Sequence, residues 1–493
     1  MIFYTISLLF LSLLLFSTFA IFYRPKRYRH LKKIPFYGYL KYAASSKSIV
    51  ERFEELYRPN LNKEGYTLLW QPRAWNLIVT DYKIIKEVVM NTNVFHKNPV
   101  NQIDYGQLNY KLFGKSNIVL SDKTEWRHHR KSVNPAFKKS WDTKIFAESG
   151  YELIDKIESR NRIPTDMNDM FQQLTLDVLG RGLFSYDFFA LKNGDKDKNL
   201  LYYKQAMSGI FNLIYITFPF LDIFAPKLID SRRYVHQQGQ CFRVFLEGII
   251  DSKRKEIESG VVKDDIVSLM IRDSMENEVD GLTNEEILNN LTVFFLAGHD
   301  TTANTLTSTL YFLAKNQDIQ DKARQEVLNV VGDSDEVKAP TNDQEKKLPY
   351  IDCIIKESMR ISPTVNQLRR HASKDITLSD GTQVKKGDMV MLLVYLHHRN
   401  PEYFPEPEKF DPDRFKDPHG IESSVWMPFG MGTRTCVGLH FSLIEQRVIL
   451  SMLLQKYTIR LGPNCKQWET PKFNSSGFLH IAGADIAFEP RLK

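Results

Sequence analysis

Charged side chains are absent from residues 1–23, where the chain reads MIFYTISLLFLSLLLFSTFAIFY. As a helix, about 22 such residues span roughly 33 Å, the thickness of a bilayer core. A cleaved signal peptide would place basic residues before a shorter apolar run and end on a small-residue cleavage site. Here the basic residues follow the run, beginning Arg24-Pro25-Lys26-Arg27. The pattern predicts a retained transmembrane anchor over 1–23 and a basic linker over 24–40; length alone would suggest two to three domains, a soft prior. Positive charge just after the span places everything after Arg24 in the cytosol.

Beyond the linker the spacing of apolar residues is mostly helical. The longest signal starts at Thr283, which forms an S/T-x-x-E capping box with Glu286. Ile287, Leu288, Leu291, Phe294, Phe295, Leu306, Leu310 and Leu313 then form a stripe, predicting one helix of about 30 residues. A second helix is expected from Pro349, with Ile351, Ile354, Ile355 and Met359 on one face. Strand signals are fewer: a hairpin over 377–384 turning at Asp380-Gly381, and a buried strand over 389–396. The expected fold class is mainly α, with a small β region in the C-terminal half. A second apolar run, GIFNLIYITFPFL at 209–221, is too short and too proline-interrupted to span a bilayer. It reads either as a core helix or as a surface that meets the membrane.

Charge adds little to this picture. The net charge is +7, and Arg24, Lys26, Arg27, Arg29, Lys32 and Lys33 supply most of it. A basic balance so local gives no reason to expect nucleic-acid binding. The four cysteines, Cys241, Cys353, Cys436 and Cys465, are scattered, with no C-x-x-C. That excludes a zinc ribbon and argues against a disulfide framework. No dinucleotide-binding fingerprint occurs, so any electrons must come from another protein.

One cysteine sits in an unusual setting, the stretch FGMGTRTCVG at 429–438. A phosphate loop of the G-x-G-x-x-G type fails here because Thr435 stands where a glycine is required. A buried structural thiol is the common fate of a lone cysteine. The other reading is a thiolate on a haem iron. That ligand needs backbone N–H donors and shielding from water. Gly430, Gly432 and Gly438 would let backbone approach a flat ring, Phe429 would shield the sulfur, and Arg434 would meet a propionate.

FGMGTRTCVG matches F-x-x-G-x-R-x-C-x-G of the cytochrome P-450 haem-thiolate monooxygenases at every fixed position. Other motifs of that family follow in order: Glu357 and Arg360 in KESMR, Arg414 in FDPDRF, AGHDTT at 297–302, and Trp126 and Arg130 in WRHHR. Over roughly residues 35–493 the chain resembles this family, and WRHHRKSVNPAF resembles its eukaryotic, particularly its fungal, branch. The resemblance implies that residues 41–493 form a single large domain, a triangular α-rich prism carrying haem b, with Cys436 as axial ligand. It implies that Trp126, Arg130, Arg434 and either Arg370 or its neighbour Arg369 face the propionates, with Arg370 preferred. Glu357, Arg360 and Arg414 would form a structural charge triad. Asp300 and Thr301 would manage the protons consumed in cleaving dioxygen, while small Ala297 and Gly298 let the helix pass close above the ring. His128, His129, His397 and His398 are read as structural or exposed, not as metal ligands.

The expected activity is insertion of one oxygen atom into a hydrophobic molecule, with fatty acids and steroids the leading substrate classes. The pocket would draw on residues 94–119, Phe294, Phe295, 362–368 and 475–478. The expected partner is an NADPH-cytochrome P-450 reductase, docked on a face that includes Arg127, Lys131, Lys138 and Lys139, and the expected location is the endoplasmic reticulum membrane. The alternatives are a haem-thiolate isomerase or lyase acting on oxygenated lipids, and a non-catalytic membrane haem protein. The linker departs from the family's form, since KKIPFYGYL holds one proline where a proline-rich hinge is usual.

Overall fold

The computed structural model describes residues 24–43, 45–71, 74–97, 106–261, 263–277, 281–465, 470–474 and 477–491. The expected anchor lies outside them. Among the described residues no helix is long and apolar enough to cross a membrane.

The organising element is the helix Asn284–Lys315, 32 residues long. Thr283 caps it by accepting the Glu286 N–H, and the Glu286 side chain accepts the Thr283 N–H in return. The helix is buried on nearly all sides, as expected for a span through the middle of a large core. It packs against Asn168–Leu179, Asp230–Glu258 and Pro349–Ile361. Pro349 occupies the first turn of the last of these, where its missing N–H costs nothing.

The main sheet has five strands in the order Tyr66–Gln71, Ala74–Val79, Met389–Leu392, Leu368–Ala372 and Phe95–His96. Only the Ala74–Val79 and Met389–Leu392 pair is parallel. The β region is therefore not confined to the C-terminal half, because three of its five strands come from residues 66–96. Leu68, Leu69, Leu77 and Ile78 are all within 1% of full burial. Strands covered on both faces show no alternation to read. The strand expected over 389–396 stops at Leu392, where the parallel ladder with Val79 ends and Val394–His397 turns helical. The hairpin falls where expected, pairing Ile376–Thr377 with Gln383–Val384, with Gly381 at φ 88°. A smaller sheet joins Thr165–Asp166, Asp485–Pro490 and Tyr457–Leu461.

The run at 209–221 is not a core helix. Ile214 and Phe220 are exposed, as are Phe224 and Leu228 just beyond it. Behind this apolar surface the buried Asp222 carboxylate gathers the Leu108 N–H at 2.8 Å, Arg232 Nε at 2.6 Å and His236 Nε2 at 2.9 Å. One acid thus joins three segments.

His129 binds the helix Lys123–Lys138 to the central helix. Its Nδ1 lies 2.9 Å from Asn290 Nδ2 and its Nε2 2.8 Å from Ser116 Oγ. Burial, partly offset by Glu286, pushes its pKa from 6.5 down to about 4. A depressed imidazole destabilises the fold as pH falls through the window between those values, because the unfolded chain takes up the proton first. We expect a loss on the order of 3 kcal/mol from this group. In denaturant melts, the stability gap between wild type and His129→Gln should narrow steadily from pH 6.5 to pH 4.

Candidate active site

The Cys436 loop is a tight turn leading into the helix Leu439–Lys456. The Cys436 N–H donates to the Phe429 carbonyl at 3.0 Å, and Gly430 N–H to Met427 O at 3.0 Å. Gly430 and Gly432 both sit at φ +70°, where other residues are strained, and a Cβ at Gly432 would lie 2.6 Å from Met90 Sδ. Gly438 has an ordinary φ of −84° and only van der Waals contact with Phe137, so no backbone demand explains it. Phe429 packs edge-on against Trp426, 5.9 Å between ring centroids. Burial pushes the Cys436 thiol up, opposed by the Gly438 N–H and by the charges of Arg130 and Lys97. Yet Cys436 keeps accessible surface. A sulfur enclosed by protein but still accessible lies on the wall of an internal recess.

Four cations converge beside it. Arg434 stacks on the Trp126 ring, 4.2 Å from guanidinium carbon to centroid, and donates through Nη2 to Asp122 Oδ1 and Ser121 O, both at 2.8 Å. Its Nη1 is buried with no partner. Arg130 Nη1 reaches Thr435 O at 3.3 Å. Arg370 is 3% exposed, while Arg369 is exposed on the opposite face of the same strand. The fourth is Lys97, just past the strand Phe95–His96, which pairs with Arg370's strand. Burial, reinforced by Arg370 and Arg434, pushes the Lys97 ammonium down to about 7. Burial, together with Arg370 and Arg130, brings Arg434 down to about 10 even with Asp122 beside it. The acidic groups facing these cations are Asp122 and Cys436. So much positive charge gathered in one place calls for an anionic ligand, and the two carboxylates of a haem fit it.

Glu357, Arg360 and Arg414 meet away from that recess. Arg360 forks onto Glu357 at 2.7 and 2.9 Å, both side chains fully buried. Arg360 also donates to His398 O and Lys409 O. Glu357 accepts the Asp411 N–H at 2.9 Å, and Arg414 Nε stands 3.4 Å from the same oxygen. The pair therefore pins residues 398–414 to the helix Pro349–Ile361.

On the central helix, Ala297 is exposed amid otherwise buried turns, flanked by half-buried Leu296 and Thr301. Thr301 Oγ1 donates to Ala297 O at 2.8 Å. Thr302 Oγ1 lies 2.9 Å from Ser442 Oγ, near the start of the helix that follows Cys436. That contact docks this stretch of the central helix on the helix that leads away from the cysteine loop. Gly298 faces elsewhere: a Cβ there would lie 2.4 Å from Leu179 Cδ1, so its smallness serves helix packing. Asp300 also turns away, toward Tyr203, with Gln172 Nε2 donating at 3.1 Å to Oδ1.

The structure thus gathers Trp126, Arg130, Arg370, Arg434 and Cys436 in one place, and Glu357, Arg360 and Arg414 in another. It separates the environments of Asp300 and Thr301. The four histidines engage protein groups or stay outside the recess: His397 Nε2 meets Val425 O and His398 Nε2 accepts the Met427 N–H. Of the expected pocket residues, 98–105, 475 and 476 lie outside the described ones. Sequence reasoning missed Lys97 and Asp122. Asp122 occupies a helix N-cap without capping, since its carboxylate serves Arg434 and the Lys97 N–H instead. That role was not visible in the helix signal.

A family model described as Cytochrome P450 matches residues 29–486. Cytochrome P450 3A2 of Rattus norvegicus is 30% identical over 415 residues, covering 80% of this chain and 78% of that protein. The 11-oxo-beta-amyrin 30-oxidase of Glycyrrhiza uralensis is 30% identical over 452 residues, covering 86% and 82%. Among solved structures, the cytochrome P450DA heme domain superposes with a TM-score of 0.80 at 23% identity, covering 94% of this chain and 99% of that one.

Arg360→Ala should strand the buried Glu357 carboxylate and cost about 3–5 kcal/mol. Thermal melting and the fraction of protein retaining haem should fall together. An unchanged melting midpoint would refute the locking role.

Proposed function

The chain belongs to the cytochrome P450 family, and on that premise we propose that it inserts one oxygen atom from dioxygen into a lipid-like substrate. It is a haem-thiolate monooxygenase carrying haem b on a cysteine thiolate. The observation that carries the assignment of residues is the recess wall formed by Cys436 and the four cations. Cys436 would hold the haem iron through its thiolate. Lys97, Arg130, Arg370 and Arg434, with Trp126 stacked on Arg434, would hold the haem carboxylates. Haem, when bound, supplies the redox chemistry that activates dioxygen.

The protein's own residues do the rest. The Gly438 N–H and nearby cations favour the thiolate over the thiol against the cost of burial. Thr301, on the exposed strip of the central helix, donates its hydroxyl to the Ala297 carbonyl at rest and handles the protons that oxygen cleavage consumes. Asp300 supplies them. The Glu357 and Arg360 pair keeps the cysteine side rigid. Substrates are fatty acids, steroids or similar apolar molecules, consistent with the aromatic Phe211 and Phe478 pair, 5.8 Å apart. Residues 1–23 anchor the chain in the endoplasmic reticulum membrane, and the exposed apolar surface around Ile214 to Leu228 supports contact with a bilayer. Electrons arrive from an NADPH-dependent reductase.

Two variants test this reading. Cys436→Ala should lose the thiolate-type carbon monoxide spectrum of the reduced protein. Thr301→Ala should keep that spectrum but release reducing equivalents as hydrogen peroxide, lowering product per NADPH at least about tenfold. Wild-type coupling in Thr301→Ala would refute the proton-handling role. A panel of fatty acids and steroids, followed by the ferric spin-state shift, identifies the substrate class.

A further inference from the structure

Asp300 does not stand alone on its side of the central helix. His299 precedes it, 1% exposed, with its ring packed among Tyr203 and Phe295. His299 Nδ1 lies 2.5 Å from the Phe295 carbonyl, one turn earlier. A carbonyl only accepts, so Nδ1 must carry a proton. In a neutral ring, Nε2 is then a bare lone pair. That nitrogen lies 3.4 Å from Asp300 Oδ1.

The Asp300 oxygens are already acceptors. Oδ1 takes the Gln172 amide at 3.1 Å, and Oδ2 takes the Tyr203 hydroxyl. Tyr203 cannot easily leave, because its fully enclosed ring sits between Phe242 and Phe295, 5.4 and 4.8 Å away. Burial and the Asp300 charge keep its phenol protonated, so it donates to Asp300 and never becomes a second anion. An ionised Asp300 beside a neutral His299 would thus set two lone pairs against each other in a buried site. One added proton turns that repulsion into a hydrogen bond.

We propose that His299 and Asp300 hold one proton between them and form the store from which Thr301 is resupplied. This rests on the reading that Asp300 and Thr301 manage protons. At rest Asp300 faces Tyr203 and Gln172 and the Thr301 hydroxyl donates to Ala297 O, so resupply requires Asp300 to turn toward Thr301, give up the shared proton as Thr301 releases its own, and return as a carboxylate to Tyr203 and Gln172. A proton from water then refills the pair, and no electrons move. His299 is a positioning residue, since it acts through Asp300. His480, on the loop that leads into the C-terminal strand, also feels the Asp300 charge.

The test begins without turnover. Infrared spectra of resting ferric holoenzyme near neutral pH should contain one band from the shared proton, either a carboxylic-acid carbonyl stretch or an imidazolium ring mode. The band should vanish in Asp300→Asn and in His299→Gln. It should shift in Tyr203→Phe, which keeps the ring but removes one hydrogen bond. Identical spectra for wild type and Asp300→Asn in both regions would overturn the proposal. In turnover, His299→Gln should retain the carbon monoxide spectrum yet lose coupling at least about tenfold, with an altered pH profile. Coupling unchanged at every pH would also overturn it. If Thr301→Ala stays fully coupled while the infrared band is present, the proton-handling reading fails and the shared proton stands.

Discussion

Lys97, Arg130, Arg370 and Arg434 share one recess with Asp122 and the Cys436 thiol, and the interior around them is shaped to bear that charge. Arg434 stacks on an indole, splits one donor nitrogen between a carboxylate and a carbonyl, and leaves the other unsatisfied. Cations kept so close in a low dielectric repel one another unless an anion joins them. The elements that deliver them are distant in sequence: a strand end near 97, a helix at 123–138, a strand at 368–372 and the cysteine loop. The sheet register that sets His96 opposite His371 is what brings Lys97 to Arg370. Such a cluster costs stability locally wherever no anion joins it.

The opposite strategy governs the Glu357 and Arg360 pair. There charge is matched within the protein, and every partner is a protein group: the Asp411 N–H, the His398 and Lys409 carbonyls, and Arg414. Burial alone raises the Glu357 carboxyl, and the two guanidinium groups oppose it. The orphaned donor there, Arg414 Nε, still faces the Glu357 carboxylate at 3.4 Å. One buried charge cluster recruits a ligand and the other fixes the irregular, proline-rich segment that carries the chain to Cys436.

The long helix, its cap and the cysteine motif were legible because each is local: a capping box, a 3.6-residue stripe, a cluster of glycines. The hairpin at 376–384 was legible for the same reason. The strands at 66–79 were not, since burial on both faces erases the period-2 signal. Lys97 and Asp122 were not, because their roles arise from strand pairing and helix docking across hundreds of residues. The smallness of Gly298 was read as room for a ring, but the helix turns it toward Leu179. Spacing names the face of a helix only when what lies on each side is known.

That last point bears on how the central helix works. Ala297 and Thr301, four residues apart, share the face that opens on the recess. His299 and Asp300 lie around the barrel of the helix, among Phe295, Tyr203 and Gln172. A single helix therefore carries an exposed strip at Ala297 and Thr301 on one side and faces a polar compartment on the other. A carboxylate facing the reaction space directly would bring water with it, and water there favours peroxide release over insertion. Holding the acid behind the helix keeps the reaction space dry while leaving a proton one residue away. On the proposed reading, each proton delivered requires a side-chain rotation at Asp300 against the hold of Tyr203 and Gln172. The strength of that hold, set by a phenol locked in an aromatic cluster, governs how often the acid is released.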